Sequence, residues 1–166
     1  MDAEHPPAFR IADLLAHAQH VPFVAALVYR EFWAGVPDGL SQDYLARAFA
    51  GQAEPGRVLK SCVALDGDTP LGCVHLIDQD DSSLPDLHPW LAAMVVVPEW
   101  RGRGVGSALV RALLNDARAM GFQRVWLGTD GPGFYEKLGA RRHLQRSESF
   151  WTMVFELGLD APSAAA

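Results

Sequence analysis

From Trp90 to Val97 every position is apolar, and the run then stops at a proline and a turn rich in Arg and Gly. A continuous apolar run of that length suits a strand in the middle of a sheet. Beyond the turn the spacing changes. Gly106, Leu109, Val110, Leu113, Leu114, Ala117 and Met120 recur at i, i+3, i+4 and i+7, with Arg111, Asn115 and Arg118 turned away. This pattern predicts a helix with one apolar face, and Gly121 stands where a left-handed C-terminal cap belongs.

The remaining pattern predicts the other elements. Phe9 to Leu14 reads as a first strand. Val21 to Trp33 reads as a helix with Pro22 in its first turn and Val24, Leu27, Val28 and Phe32 along one stripe. Ser41 is an N-cap for a second helix carrying Tyr44, Leu45, Ala48 and Phe49. Lys60 to Leu65 and Leu71 to Ile77 flank Asp66-Gly67-Asp68-Thr69-Pro70 as a hairpin. With Gly67 and Asp68 as the turn residues, Cys62 falls opposite Cys73. A polar, acidic loop runs from Asp78 to His88. After the central helix come a strand, Arg124 to Thr129, a short helix, Phe134 to Leu138, and two last strands, Ala140 to Ser147 and Phe150 to Leu157. The chain shows neither an internal repeat nor a long linker. It reads as a single α/β domain with its core at about residues 9–157 and a flexible tail over residues 158–166.

Composition narrows the functional classes. The net charge of −6 and the lack of any Lys/Arg run argue against a nucleic-acid partner, which needs phosphate neutralisation. No apolar run approaches the roughly 20 residues that span a membrane. The amino terminus lacks the basic and apolar regions of a signal peptide, so the expected location is cytoplasmic. Two cysteines cannot build a Cys-based zinc cluster or a disulfide framework, and no metal is expected; two buried reduced thiols are the preferred reading.

The chemistry lies in the turn between the apolar strand and the helix. Gly102, Gly104 and Gly106 remove side chains where a ligand would approach backbone N–H groups. The first turn of a helix leaves N–H groups unpaired and carries partial positive charge, which suits a phosphate, and Arg101 and Arg103 add full charges. A dinucleotide fingerprint starting at Gly102 would need Gly where Ser107 stands, and a P-loop would need Gly-Lys before Ser or Thr. Arg101-x-x-Gly104-x-Gly106 after a strand resembles the pyrophosphate loop of the GNAT (Gcn5-related) N-acetyltransferases. A second stretch, Phe134-Tyr135-Glu136-Lys137-Leu138-Gly139-Ala140, is similar to the family's F-Y-x-x-L-G-F ending, with Ala140 in place of the usual aromatic. The element order resembles the family's across about residues 9–157.

The resemblance implies a GNAT acyl-CoA N-acyltransferase fold, a central mixed and mainly antiparallel sheet flanked by helices, with acetyl-CoA as co-substrate. The strand through Val95, Val96 and Val97 would pair by its backbone with the pantetheine arm, through Val95 and Val97. It would splay at a bulge from the strand after the central helix, and an amide near Val95 would polarise the acetyl carbonyl. The N–H groups of Arg101, Gly102, Arg103, Gly104, Val105, Gly106 and Ser107 would hold the pyrophosphate, with Phe134 beside the cofactor. Tyr135 matches the family's general acid, its phenol protonated at neutral pH and able to deliver a proton to the departing sulfur. Members often dimerise through late strands, where Phe150-Trp151 would suit a homodimer contact.

The acceptor side is less defined by sequence. The apolar strand has no acidic residue, so the carboxylate that some members place there is missing. Glu99 follows Pro98 in a turn, where a surface role competes with a basic one. His75 and Asp78 end the preceding strand and stand near the expected substrate mouth, although a lone histidine there is equally a satisfied structural residue. Asp78, Asp80, Asp81 and Asp86 form either a solvated loop or an attractor for a cationic amine. Trp33, Tyr44, Phe49 and Trp90 are pocket candidates that core packing would equally explain. Asp78 and Trp90 are the candidate substrate residues. The reading is an N-acetyltransferase acting on a primary amine, a small amine or a peptide or protein N-terminus. The alternative is a non-catalytic acyl-CoA-binding or sensing domain on the same fold.

Overall fold

The computed structural model describes residues 8–158. Residues 1–7, and the expected flexible tail except for Gly158, lie outside the described residues. The strands are β1 (Arg10–Asp13), β2 (Val58–Asp66), β3 (Thr69–Ile77), β4 (Trp90–Val96), β5 (Arg124–Thr129), β6 (Arg141–Gln145) and β7 (Trp151–Glu156). The helices are α1 (Val21–Val28), α2 (Gln42–Phe49), α3 (Val105–Ala119) and α4 (Pro132–Lys137). This order matches the sequence reading. One difference lies after α1, where the expected helix continues to Trp33 as a widened π turn, Tyr29–Trp33. Ser41 caps α2, its Oγ accepting from Tyr44 N at 3.1 Å.

The strands form one sheet of order β1-β2-β3-β4-β5-β7-β6, in which β4 and β5 are the parallel pair and the other pairs are antiparallel. Strand alternation divides the core between its two faces. Cys62, Ala64, Val74, Leu76 and Leu91 pack with Leu109, Val110 and Leu113 of α3. Val63, Leu65, Cys73 and Val95 pack with Val24, Val28 and Phe49 of α1 and α2. The α3 stripe departs from expectation at its end. The helix closes at Ala119, so Met120 stands 47% exposed in the turn, and Arg118 reaches back to donate to Leu157 O at 2.9 and 3.1 Å.

Two bulges shape the centre of the sheet. In β3 the turn residues are Gly67 and Asp68, as expected, but Leu71 is extra: Leu65 faces Pro70 while Ala64 faces Gly72. In β4 the pairs Cys73–Val95 and His75–Ala92 enclose an extra residue, and Ala93 adopts φ +53°. A non-glycine residue in the left-handed region is the mark of such a local kink. Parallel pairing of β4 with β5 is confined to Trp90 and Trp126, with Trp126 N also donating to Pro89 O at 2.9 Å. Past that point the two strands part. β5 stays tied to β7 over all six of its residues, so it does not follow β4. Among the described residues no helix is long and apolar enough to cross a membrane.

The β3 bulge corrects the cysteine register. Cys62 pairs with Val74, and Val63 takes the place opposite Cys73. A slip of one residue sends the two side chains to opposite faces of the sheet. Cys62 Sγ lies 3.5 Å from Asp116 Oδ2 on the α3 side, while Cys73 sits in the α1/α2 core. Burial, helped by the Asp116 carboxylate, pushes the Cys62 thiol up to about 12, and burial raises Cys73 further. Thiols whose Cβ vectors diverge across a sheet cannot be bridged. After mild oxidation of the folded protein, denaturation should therefore reveal two titratable thiols. A mass loss of two hydrogens from an intramolecular disulfide would overturn this register.

Candidate active site

The parting of β4 and β5 leaves one backbone edge of β4 without a strand partner, and its direction follows from the ladder. Val97 N donates to Leu71 O at 2.8 Å. Antiparallel alternation then makes Gly72–Val96 the non-hydrogen-bonded pair, so the Val96 backbone points away from β3 and toward β5. The Val96 carbonyl is found on that side, accepting from Arg101 Nε at 2.9 Å. This shifts by one residue the backbone pairing that the resemblance implies. Val95 is turned toward β3. Val97 spends its N–H on Leu71 and its carbonyl on Trp100 N at 3.0 Å.

The same edge runs into the N-terminus of α3. Gly102 and Gly104 have φ of +74° and +84°, values open to glycine at little cost, and Gly104 is the N-cap. No side chain caps this helix, and its first intrahelical bond is Ala108 N to Gly104 O, which leaves the N–H groups of Val105, Gly106 and Ser107 without intrahelical acceptors. A cavity of about 500 Å³ follows this path, lined by Val95, Val96, Arg101, Gly102, Gly104, Val105, Gly106, Ser107 and Phe134 among others. Two expected residues are not on it. Val97 packs into the core, and Arg103 lays its guanidinium over the Trp100 ring, 4.8 Å from the centroid. Arg101 divides its charge between Val96 O and Glu31, 3.8 Å away. A Cβ at Gly106 would stand 3.4 Å from Phe134 and 3.5 Å from Met94, an ordinary van der Waals contact, so this position, unlike Gly102 and Gly104, does not require glycine.

A larger cavity, about 790 Å³, opens on the α1/α2 side and shares Glu31, Met94 and Phe134 with the first. Its walls come from the splayed strands, from Phe32, Trp33, Tyr44 and Phe49, and from Tyr135 of α4. Tyr135 is 8% exposed, set edge-on against Phe134 and Phe155, and among the described residues its hydroxyl has no hydrogen-bond partner. Desolvation pushes its pKa up to about 12, so the phenol is a proton donor throughout the neutral range.

The acidic loop is more structured than its composition suggests. Asp78 pairs with His88, 2.7 Å away, and lines neither cavity. Asp81 and Ser83 are held by Arg146 from the β6–β7 turn, at 3.3 and 2.6 Å. Asp80 reaches the large cavity instead. Desolvation raises its carboxyl pKa, partly offset by Arg57, with Asp81 adding to the rise. Trp90 also differs from expectation. It is 1% exposed in the core with Trp126 and Val154, its indole N–H donating to Leu87 O at 2.8 Å, because it sits where β4 and β5 are still paired. Glu99 is exposed in the Pro98–Trp100 turn and lines neither cavity. Glu31, Arg57 and Asp130 are wall residues that the sequence reading did not single out, and Phe150, expected at a homodimer contact, lines the same cavity, since only the chain's return from distant segments brings them together.

Comparison with known proteins agrees with this architecture. The model of the "Acetyltransferase (GNAT) family" matches residues 25–140, most of the chain. N-alpha-acetyltransferase 30 of Schizosaccharomyces pombe is 34% identical over 88 residues, which is 50% of this chain and 58% of that protein. Mycothiol acetyltransferase of Nocardia farcinica is 30% identical over 132 residues, 73% of this chain and 43% of that protein. The chain spans about half the length of the curated relatives it matches. An aminoglycoside 6'-N-acetyltransferase complexed with coenzyme A superposes with a TM-score of 0.68 over 90% of this chain and 98% of that one, at 18% identity, a match of fold. Splayed strands, an uncapped glycine turn and a family match through both make the assignment: the chain belongs to the GNAT acetyltransferase family.

Proposed function

We propose that this protein is an N-acetyltransferase that uses acetyl-CoA to acylate a primary amine. One observation carries the reading. The unpartnered edge of β4 leads into the open amides of α3, and the cavity along it joins a second cavity that holds a buried phenol. A sensing domain would need the first cavity but not the second.

The chain's groups fit the co-substrate. The amides of Val105, Gly106 and Ser107, at the positive end of a 15-residue helix, suit a diphosphate, and Arg101 adds charge beside them. The Val96 N–H is the edge donor for an amide-bearing arm. The thioester supplies an activated acetyl group. At the β4 bulge, an amide around Met94 is placed to stabilise negative charge on the acetyl oxygen. Tyr135 protonates the departing sulfur, and the proton that the nitrogen gives up as the new amide forms restores the phenol. Asp80, Asp130 and Glu31 make the acceptor cavity attractive to an ammonium group, which sheds one proton to solvent to become the neutral nucleophile before it attacks. A homodimer through the late strands is part of the same proposal, supported by the exposed edge of β6.

Ser107→Glu tests the phosphate site. A carboxylate in the first turn favours helix stability, so Tm should hold or rise. Acetyl-CoA affinity, read by calorimetry, should fall by at least about tenfold, or 1.4 kcal/mol. Unchanged affinity would remove the turn from the site. Tyr135→Phe should lower kcat by about 10²-fold or more while leaving acetyl-CoA affinity intact; a fully active variant would take Tyr135 out of the reaction. The pH profile gives a third test. Tyr135 loses its proton only near 12 rather than at the ordinary tyrosine value of 10.0. With the donor retained, kcat/KM should rise as the amine deprotonates and show no fall up to about pH 10. A decline centred near the ordinary tyrosine pKa would contradict the buried donor.

A further inference from the structure

The loop between β3 and β4 reaches the acceptor cavity at Asp80, and its own hydrogen bonds make it a compact unit. Asp78 and His88 tie its ends together at 2.7 Å. Gln79 fills its middle. Its Oε1 accepts from Asp80 N and Asp81 N at 3.0 and 3.1 Å, and its Nε2 donates to Leu84 O and Pro85 O at 3.4 and 3.3 Å. A loop of this kind is packed by its own side chains, so what holds one part of it holds the rest.

The stretch Asp80–Ser83 has one polar tie outside the loop among the described residues, and Arg146 supplies it. Arg146 Nη2 donates to Ser83 Oγ at 2.6 Å and lies 3.3 Å from Asp81 Oδ2. Ser83 donates to Asp81 through both its N–H and its hydroxyl, so the three residues form one bridge. Those hydrogen bonds, with the Arg146 charge, hold the Asp81 carboxyl below the usual carboxylate range. Arg146 is fixed in turn. Its N–H donates to Phe150 O at 2.8 Å, which closes the β6–β7 turn, and β7 is laddered to β5. Arg146, Asp81 and Ser83 all stand outside the cavity wall.

Asp80 is the carboxylate this bridge leaves free. Asp78 and Asp81 are each paired, whereas the Asp80 carboxylate has no partner among the described residues. It is exposed, so an amine entering the cavity can reach it. The surrounding walls still displace enough water to raise its carboxyl pKa, and a drier setting strengthens its pull on a cation. The rest of the wall suits an apolar body, with Phe32, Trp33 and Phe150 among its residues. Arg57, the one wall cation of the Lys/Arg type, is taken up by Gln79 O and Glu54, so an acidic group on the acceptor finds no free counter-charge. We propose that Arg146 is a positioning residue for the acceptor. Its bridge to Asp81 and Ser83 holds Asp80 in the cavity wall, where Asp80 receives the ammonium group of an amine with an apolar body and no acidic group. This rests on the acyl transfer proposed above and names its acceptor class.

Phenethylamine is the probe, and phenylalanine is the same body with a carboxylate added. At saturating acetyl-CoA, wild type should favour phenethylamine by at least about tenfold in kcat/KM. Arg146→Ala should raise KM for phenethylamine at least about fivefold, with kcat and acetyl-CoA affinity held within about twofold. Its Tm should hardly move, because a surface ion pair contributes little to stability. One nitrogen makes both contacts, so Arg146→Lys should recover most of the lost affinity. Asp80→Asn should raise the same KM at least about tenfold, and adding Arg146→Ala to it should raise KM no further, since the arginine acts through that carboxylate. If Arg146→Ala does not fold, Asp81→Asn weakens the bridge from its other side and must shift KM the same way. An unchanged KM in the folded variant, or independent losses in the double variant, would overturn the positioning role. Equal turnover of phenylalanine, or turnover of neither amine while acetyl-CoA still raises Tm, would overturn the acceptor class and leave the transferase reading standing. Failure to bind acetyl-CoA at all would instead overturn that earlier reading.

Discussion

The structure turns on a parallel strand pair held at a single point. β4 and β5 meet at Trp90 and Trp126, where buried indoles and the Pro89 carbonyl lock them together. Beyond that point β4 is kinked by an extra residue, and β5 is held by its full ladder to β7. Elsewhere in a sheet, unpaired backbone groups invite another chain to add on. Here they are turned inward, between α3 and α4, so a ligand can take the strand's place without an exposed edge.

Both sides of the gap depend on this arrangement. On one side the helix that follows β4 must start where the strand leaves off, and two glycines with positive φ make that sharp reversal while leaving the amides open. On the other side the gap deepens into the acceptor cavity, whose floor includes β4 itself, and α4 brings a phenol into it. The phenol is desolvated because it packs against Phe134 and Phe155, so the contacts that position it also keep it protonated.

Much of this was legible in the chain. The helix after the glycine turn, the hairpin turn at Gly67-Asp68 and the order of elements follow from local spacing, and most of the pyrophosphate-side residues fall on one cavity because they are contiguous in sequence. What spacing did not carry was parity. One extra residue in β3 reverses which residues face which side, moving Cys73 away from Cys62, and the backbone edge that the resemblance implied at Val95 and Val97 falls instead at Val96. A bulge is a local backbone event with weak residue preferences, and neither Leu71 nor Ala93 announces one. The acceptor wall was hidden for another reason. Asp78 and Asp80 are alike in sequence, and only the pairing of one with His88 separates them.

Gly128 gives the acceptor cavity an adjustable dimension. A Cβ at this position would come within 2.8 to 2.9 Å of the Phe150 ring, so that ring rests in space a side chain would otherwise fill. Phe150 is also a wall of the cavity, and it belongs to the same turn whose Arg146 clasps the acidic loop. Any substituent at residue 128 would therefore drive the aromatic wall from its seat. The width available to an acceptor is thus set by hydrogen at one α-carbon of β5.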